Sequence, residues 1–177
     1  WSKKAIFTDD EWKRVTEGMN ELGKISKEEF GIQLCYHHHM GTGVQTMDET
    51  DRFLNETNPD FVSLNYDSGH FYFTFEDPLE AVKKYISRIK HVHLKDVRAG
   101  QRERCKENDM SFMNAVGSGV FSVPGDGVLD FPAIFEVLKD NNYEGWMVVE
   151  AEQDPAKAHP LTYAKMARKY IQEHTGL

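Results

Sequence analysis

Four short apolar runs recur along this chain, Ile32 to Tyr36, Phe61 to Tyr66, His91 to Lys95 and Trp146 to Glu150, and amphipathic stretches separate them. Runs spaced so far apart cannot pair as tight hairpins. They must be joined by crossovers, which makes the strands parallel and puts helices outside the sheet. Trp12, Val15, Met19, Leu22 and Ile25 recur at helical spacing, with Asp9 or Asp10 as cap and Gly31 as stop. Thr46 and Glu49 form a capping-box pattern before Phe53 and Leu54. Pro78 suits the first turn of a helix over 77–89, with Leu79, Val82, Tyr85, Ile86 and Ile89 on its inner side. Asp130 caps a helix carrying Phe131, Ile134, Phe135 and Leu138, and Pro160 opens another with Leu161, Ala164, Met166, Ala167 and Ile171. Only between Arg98 and Val123 does the rhythm break, as it does in functional loops and lids.

A closed eight-stranded α/β barrel takes about 250 residues, and 177 residues supply four of its strands. Half a barrel leaves two strand edges and an inner sheet face open to water, which is unfavourable. More protein upstream, a partner supplying the rest, or a smaller open sheet would each relieve this. The start at Trp1, with Trp1 to Phe7 resembling the inside of a larger protein, favours residues upstream.

Composition narrows the function. A formal charge of -8 with acids and bases interspersed argues against a nucleic-acid partner and suits a small polar substrate. No apolar run reaches the length of a membrane span and no signal-peptide core is present, so no membrane partner is expected and the cytoplasm is the default location. Two cysteines are too few for a disulfide scaffold: Cys35 reads as an interior thiol and Cys105 as an incidental loop thiol. A homo-oligomer is left open.

Chemistry concentrates where the apolar runs end. Asp67, His93 and Glu150 follow successive strands, at the end where α/β folds build active sites. His70 lies three residues beyond Asp67, and period two puts His91, His93 and Lys95 on one face. Each has a plainer structural reading: Asp67 as a cap, a packed histidine, Lys95 as a solvated rim group, Glu150 in a salt bridge. Together, oxygen ligands with an imidazole suit Mn2+, Co2+, Mg2+ or Zn2+ better than Cu+. Lys95 is placed to meet negative charge developing on a substrate. Of His37, His38 and His39, consecutive residues cannot all point inward, so one or two reach the pocket.

Tyr36 to Gly43, Tyr66 to His70, His91 to Arg98 and Val148 to Asp154, in this order and spacing, resemble the inosose dehydratase family, within the larger xylose isomerase-like group of sugar isomerases, epimerases and dehydratases. The resemblance implies a (β/α)8 TIM barrel, with this chain as the C-terminal half of a single barrel domain. It implies a divalent metal held by Glu, Asp, His and Glu on four consecutive strands. Asp67, His93 and Glu150 match the last three, and Gln45 is the counterpart of the first. His70 matches a residue that contacts substrate oxygens, and Arg98 resembles a substrate-contacting arginine. His37, His38, His39 and His91 join the substrate-binding set, with His70 and Lys95 as catalytic groups. The implied activity is a hydro-lyase, with Mn2+ or Co2+, that removes water from 2-keto-myo-inositol to give a cyclic dione in inositol catabolism. The polyhydroxylated ketone is its only expected partner. A ketose epimerase or hydroxy-carbonyl isomerase uses the same enediolate and is the nearest competitor. A non-catalytic barrel fragment is the third reading.

Overall fold

The computed structural model describes residues 3–177, so Trp1 and Ser2 lie outside the described residues. The chain runs through α1 (Asp9–Phe30), β1 (Leu34–His37), α2 (Met47–Glu56), β2 (Val62–Asp67), α3 (Ser68–Phe73), α4 (Pro78–Tyr85) and β3 (Ile89–Leu94). It continues as β4 (Asp96–Val97), α5 (Gln101–Glu107), α6 (Phe112–Ser118), β5 (Phe121–Ser122), α7 (Phe131–Asp140), β6 (Met147–Val149) and α8 (Pro160–Thr175). The main sheet has the order β1-β2-β3-β6 with every neighbouring pair parallel, as the crossover argument requires.

One face of this sheet packs on the helices. Val62, Leu64 and Tyr66 of β2 and Val92 and Leu94 of β3 meet Phe53, Leu54, Phe71, Val82, Phe131 and Ile134 in a single core. Each such large side chain contributes about 1.5–3 kcal/mol on leaving water. The Tyr66 hydroxyl, buried in this layer, donates to Pro78 O at 2.9 Å. Period two sends Asn65, Asp67, His91 and His93 to the opposite face. Register sets Asp67 beside His93 and Asn65 beside His91, so polar groups stack in rows across β2 and β3.

Local signals place the helices. Thr46 and Glu49 close a capping box on α2, Asp77 and Pro78 open α4, and Asp130 caps α7. Gly31 ends α1 at φ 67, a conformation that favours glycine. The cap of α1 is Thr8 in a box with Glu11, rather than Asp9 or Asp10.

Other expectations are corrected. Leu22 and Ile25 are exposed, because α1 turns Trp12, Thr16 and Gly23 inward. A Cβ at Gly23 would lie 2.5 Å from Phe61 O, so the glycine lets the helix backbone approach the sheet and swings its neighbours out. The helix expected over 77–89 ends at Tyr85, and Ile89 begins β3. Arg88 fixes that turn by donating to Leu54 O and Val62 O, both at 2.8 Å. Leu161 and Met166 are exposed on α8, which buries Ala167 and Ile171.

The stretch after Arg98 is built, not bare loop. It holds α5, α6 and β5, which pairs antiparallel with β4 just before it, around a second core of Met40, Phe73, Val97, Cys105, Ala115, Val120 and Phe121. Helices of seven residues are too short to declare a period. Cys105 is therefore fully buried and Cys35 only partly so, the reverse of the expected assignment.

Among the described residues no helix is long and apolar enough to cross a membrane.

Candidate metal centre

Asp67 ends β2 and divides its carboxylate between two tasks. Oδ1 accepts the His70 backbone N–H at 2.8 Å and caps α3, so the capping reading holds. Oδ2 faces the polar side of the sheet, 3.4 Å from both His37 Nε2 and His93 Nδ1. Glu150, just past β6, brings Oε2 to 2.8 Å from His93 Nδ1. His37 Nε2, Asp67 Oδ2 and Glu150 Oε2 are buried, yet none makes a hydrogen bond of sound geometry. A buried polar atom left this way costs about 1–3 kcal/mol, less for Glu150 Oε2, which faces His93 and the Lys95 ammonium, and a shared cation satisfies all three at once. His37, Asp67, His70 and Glu150 each offer a ligand atom within 4.8 Å of the others. Two carboxylates with imidazoles form a hard-to-borderline donor set that fits a divalent metal ion.

Lys95 lies fully buried beside this set. Its ammonium hydrogen-bonds Glu152 and stands 3.0 Å from Glu150 Oε2, 3.1 Å from His70 Nε2 and 3.6 Å from Asp67 Oδ2. Ser68 grips its backbone at both ends: Oγ donates to Lys95 O at 2.8 Å and accepts Lys95 N–H at 3.0 Å. The stem passes over Gly69, where a Cβ would lie 2.5 Å from Lys95 Cγ.

Electrostatics reflect this crowding. Burial by itself would raise Asp67, but Lys95 first, then His70, His37 and His93, hold it well below the usual carboxylate range. Burial opposes charge on His93 as well, and Asp67 and Glu150 outweigh it, lifting the imidazole to about 9. For Lys95 burial is overcome by Asp67, Glu152 and Glu150, and the ammonium is held above its ordinary value. His70, with burial dominant, is pushed well down and stays neutral.

The three consecutive histidines divide as period two demands. His37 faces the cluster. His38 turns to the helix side, stacks on Phe71 with ring centroids 3.7 Å apart, and its Nε2 accepts Asp67 N–H at 3.2 Å. Burial drives its pKa to about 3, so it is a neutral prop for the strand tip and lies off the expected substrate set. His39 returns to the pocket, its ring 3.8 Å from that of His70 and its Nε2 3.9 Å from Glu152 Oε1. His91 sits one step down the same face from His93, with ring centroids 5.3 Å apart.

Two expected site residues are engaged elsewhere. Gln45 folds back on its own loop, where Oε1 accepts Gly41 N–H at 2.7 Å. The residue that the end of the first strand turns to the cluster is His37, because β1 runs one residue past the expected end at Tyr36. Arg98 donates to Gly119 O, Phe121 O, Ser122 Oγ, Asp126 Oδ2 and Tyr163 OH, which ties down the long excursion and leaves the guanidinium committed to structure. Conversely Glu152, in the loop after β6, reaches the cluster; its alternation with Glu150 is the signal for it in the sequence.

Over residues 2–174 the sequence matches the family model described as a xylose isomerase-like TIM barrel. The chain belongs to that family. It is 54% identical over all 177 residues to the inosose dehydratase of Clostridium tetani (strain Massachusetts / E88), and equally to that of Geobacillus thermodenitrificans (strain NG80-2). In both cases it spans 59% of the relative's length. Among solved structures, the probable 3-DHS dehydratase AsbF of Bacillus anthracis superposes with a TM-score of 0.74 at 16% identity, covering 96% of this chain and 60% of that one. The IolI protein, solved with a bound zinc atom, gives 0.73 at 20% identity, covering 99% and 62%. At these identities the two structures speak for the fold alone. The expected barrel architecture is thereby established.

Proposed function

We propose that this chain is the C-terminal half of a single TIM-barrel domain, and that the whole protein is a metal-dependent dehydratase converting 2-keto-myo-inositol to a cyclic dione in inositol catabolism. The half-barrel reading is supported by the coverage of 59% of each relative and by the sheet itself. Its outer strands are β1 and β6, and Ile32 and Trp146 beside them and Val148 within β6 are exposed. The substrate comes from the inosose dehydratases that are 54% identical. The single observation that carries the chemistry is the convergence of His37 Nε2, Asp67 Oδ2 and Glu150 Oε2, buried together on one face of the sheet.

His37, Asp67, His93 and Glu150 would hold a divalent ion, Mn2+ or Co2+ in this reading, while His70, within 4.8 Å of His37, Asp67 and Glu150 but set against the Lys95 ammonium, is left to the substrate. When bound, the ion supplies Lewis acidity to the substrate's ketone and adjacent hydroxyl oxygen. His70, deep beside Lys95, takes the proton from the carbon next to the ketone. The C–H electron pair then passes into an enediolate, and the buried Lys95 ammonium lies where that negative charge develops. Collapse of the enediolate breaks the C–O bond of the β-hydroxyl. His39, a quarter exposed at the rim beside Glu152, gives that oxygen a proton, and water departs. The enol left behind tautomerises to the dione. Free Cys35 and Cys105 suit a reducing cytoplasm.

The test is to incubate the full-length protein, stripped and reloaded with Mn2+, Co2+ or Zn2+, with 2-keto-myo-inositol and to follow the dione chromophore. Turnover with loss of water is the expected result. Reversible ketose interconversion with no loss of water would overturn the dehydratase reading in favour of an epimerase.

A further inference from the structure

We infer that Glu152 is a positioning residue that draws the Lys95 ammonium onto itself and so keeps Asp67 and Glu150 open to a divalent cation. This role rests on the proposed metal centre.

Lys95 has no access to water and must find its acceptors inside the protein. Three carboxylates are in reach. Of the three, the ammonium lies closest to Glu152, with Glu150 Oε2 at 3.0 Å and Asp67 Oδ2 at 3.6 Å. The Phe121 ring, 5.0 Å from Nζ, walls another side. Glu152 is itself set for the task. Its φ of 42 is left-handed, a conformation that non-glycine residues adopt at a cost, and its far oxygen is bracketed by His39 at 3.9 Å.

Charge balance gives Glu152 its effect. With His93 deprotonated as a metal ligand must be, three carboxylates against one ammonium leave two negative charges, the number a divalent cation cancels. Neutralising Glu152 removes one of them and leaves Lys95 only Asp67 and Glu150 as anionic partners. A fixed ammonium would then compete with the metal for the same oxygens, at a separation where like charges repel strongly. The alternative is that Glu152 is itself a ligand, in a second site with His39 and His70, whose donor atoms lie within 4.8 Å of one another. The ammonium already set against Glu152 and His70 disfavours a second cation there.

A double-mutant cycle separates these. Mn2+ binding to the metal-free full-length protein is measured by calorimetry for wild type, Glu152→Gln, Lys95→Met and the double variant, with circular dichroism to follow folding. E152Q should weaken Mn2+ about tenfold or more. With Lys95 replaced, the same change should cost only about two- to threefold, since the competing cation is gone. K95M alone should bind Mn2+ at least as tightly as wild type, which reads the competition even if E152Q does not fold. An equal loss from E152Q with and without Lys95, or weaker binding by K95M, overturns the inference and leaves the metal centre standing. If wild type itself takes up no Mn2+, the metal centre fails and this inference with it.

Discussion

His38 Nε2 accepts the backbone N–H of Asp67 across 3.2 Å, so a histidine facing away from the pocket fixes the strand tip that carries the central carboxylate. The pair explains how consecutive histidines serve different layers. His37 points to the metal centre, while His38 is packed flat on Phe71 and kept neutral by burial.

Replacing His38 by Phe keeps the stacking but strips Asp67 N–H of its acceptor. The denaturant midpoint should correspond to a loss of about 1–3 kcal/mol, and metal affinity should fall about 10- to 100-fold because a supporting group has gone. His38→Gln, which restores an acceptor, should recover part of both. A Phe variant matching wild type in both measurements would remove His38 from this role.

Asp67→Asn preserves the size of the side chain and the oxygen that caps α3 through His70 N–H. Stability should fall, since the buried charge that Lys95 and the imidazoles favour is lost, while metal affinity and kcat should each fall further, by at least about 100-fold. Equal loss of stability and affinity would show that the cap, not the site-facing oxygen, is what the residue provides.

Gly69→Ala drives a methyl to within 2.5 Å of Lys95 Cγ and 2.8 Å of Lys95 Cβ, contacts the buried stem cannot absorb without moving. The expected cost is about 1–3 kcal/mol in stability, with kcat falling more than KM rises, since the displaced group is the ammonium. Steady-state kinetics with an unfolding curve reads both.

Arg98→Lys would leave at most a few of five acceptors engaged. Limited proteolysis within 98–123 should accelerate, and hydrogen exchange near Phe121 and Ser122 should rise by about 1–3 kcal/mol of lost protection. Were Arg98 a substrate contact instead, KM would rise with the cleavage pattern unchanged.

Chelation should lower the melting temperature of the metal-loaded protein. An ion present at about 100 times its Kd stabilises by about 2.7 kcal/mol, or roughly 5–10 °C for a domain of this size. Scanning calorimetry with and without EDTA measures it, and an unchanged melting point would contradict tight metal binding.

The alternation of short apolar runs with helical stretches sufficed to specify parallel strands with helices outside, because strands that far apart have no other way to pair. Asp67, His93 and Glu150 were legible for a related reason: each is the first polar residue at a strand's carboxyl end or alternates onto its inner face. Local chemistry also placed the caps at Thr46 and Asp130 and set Pro78 in the first turn of α4. What the chain alone left undecided turns on a single residue of register or on contacts distant in sequence. One extra residue in β1 puts His37 beside Asp67 at the cluster, and Gln45 binds its own loop. Likewise, only folding brings Glu152 from beyond β6 to Lys95 beyond β3, and only it commits Arg98 to the carbonyls around Phe121. Periodicity along a chain reports which face a residue shares, whereas the partner it meets across the sheet is set by how the elements pack.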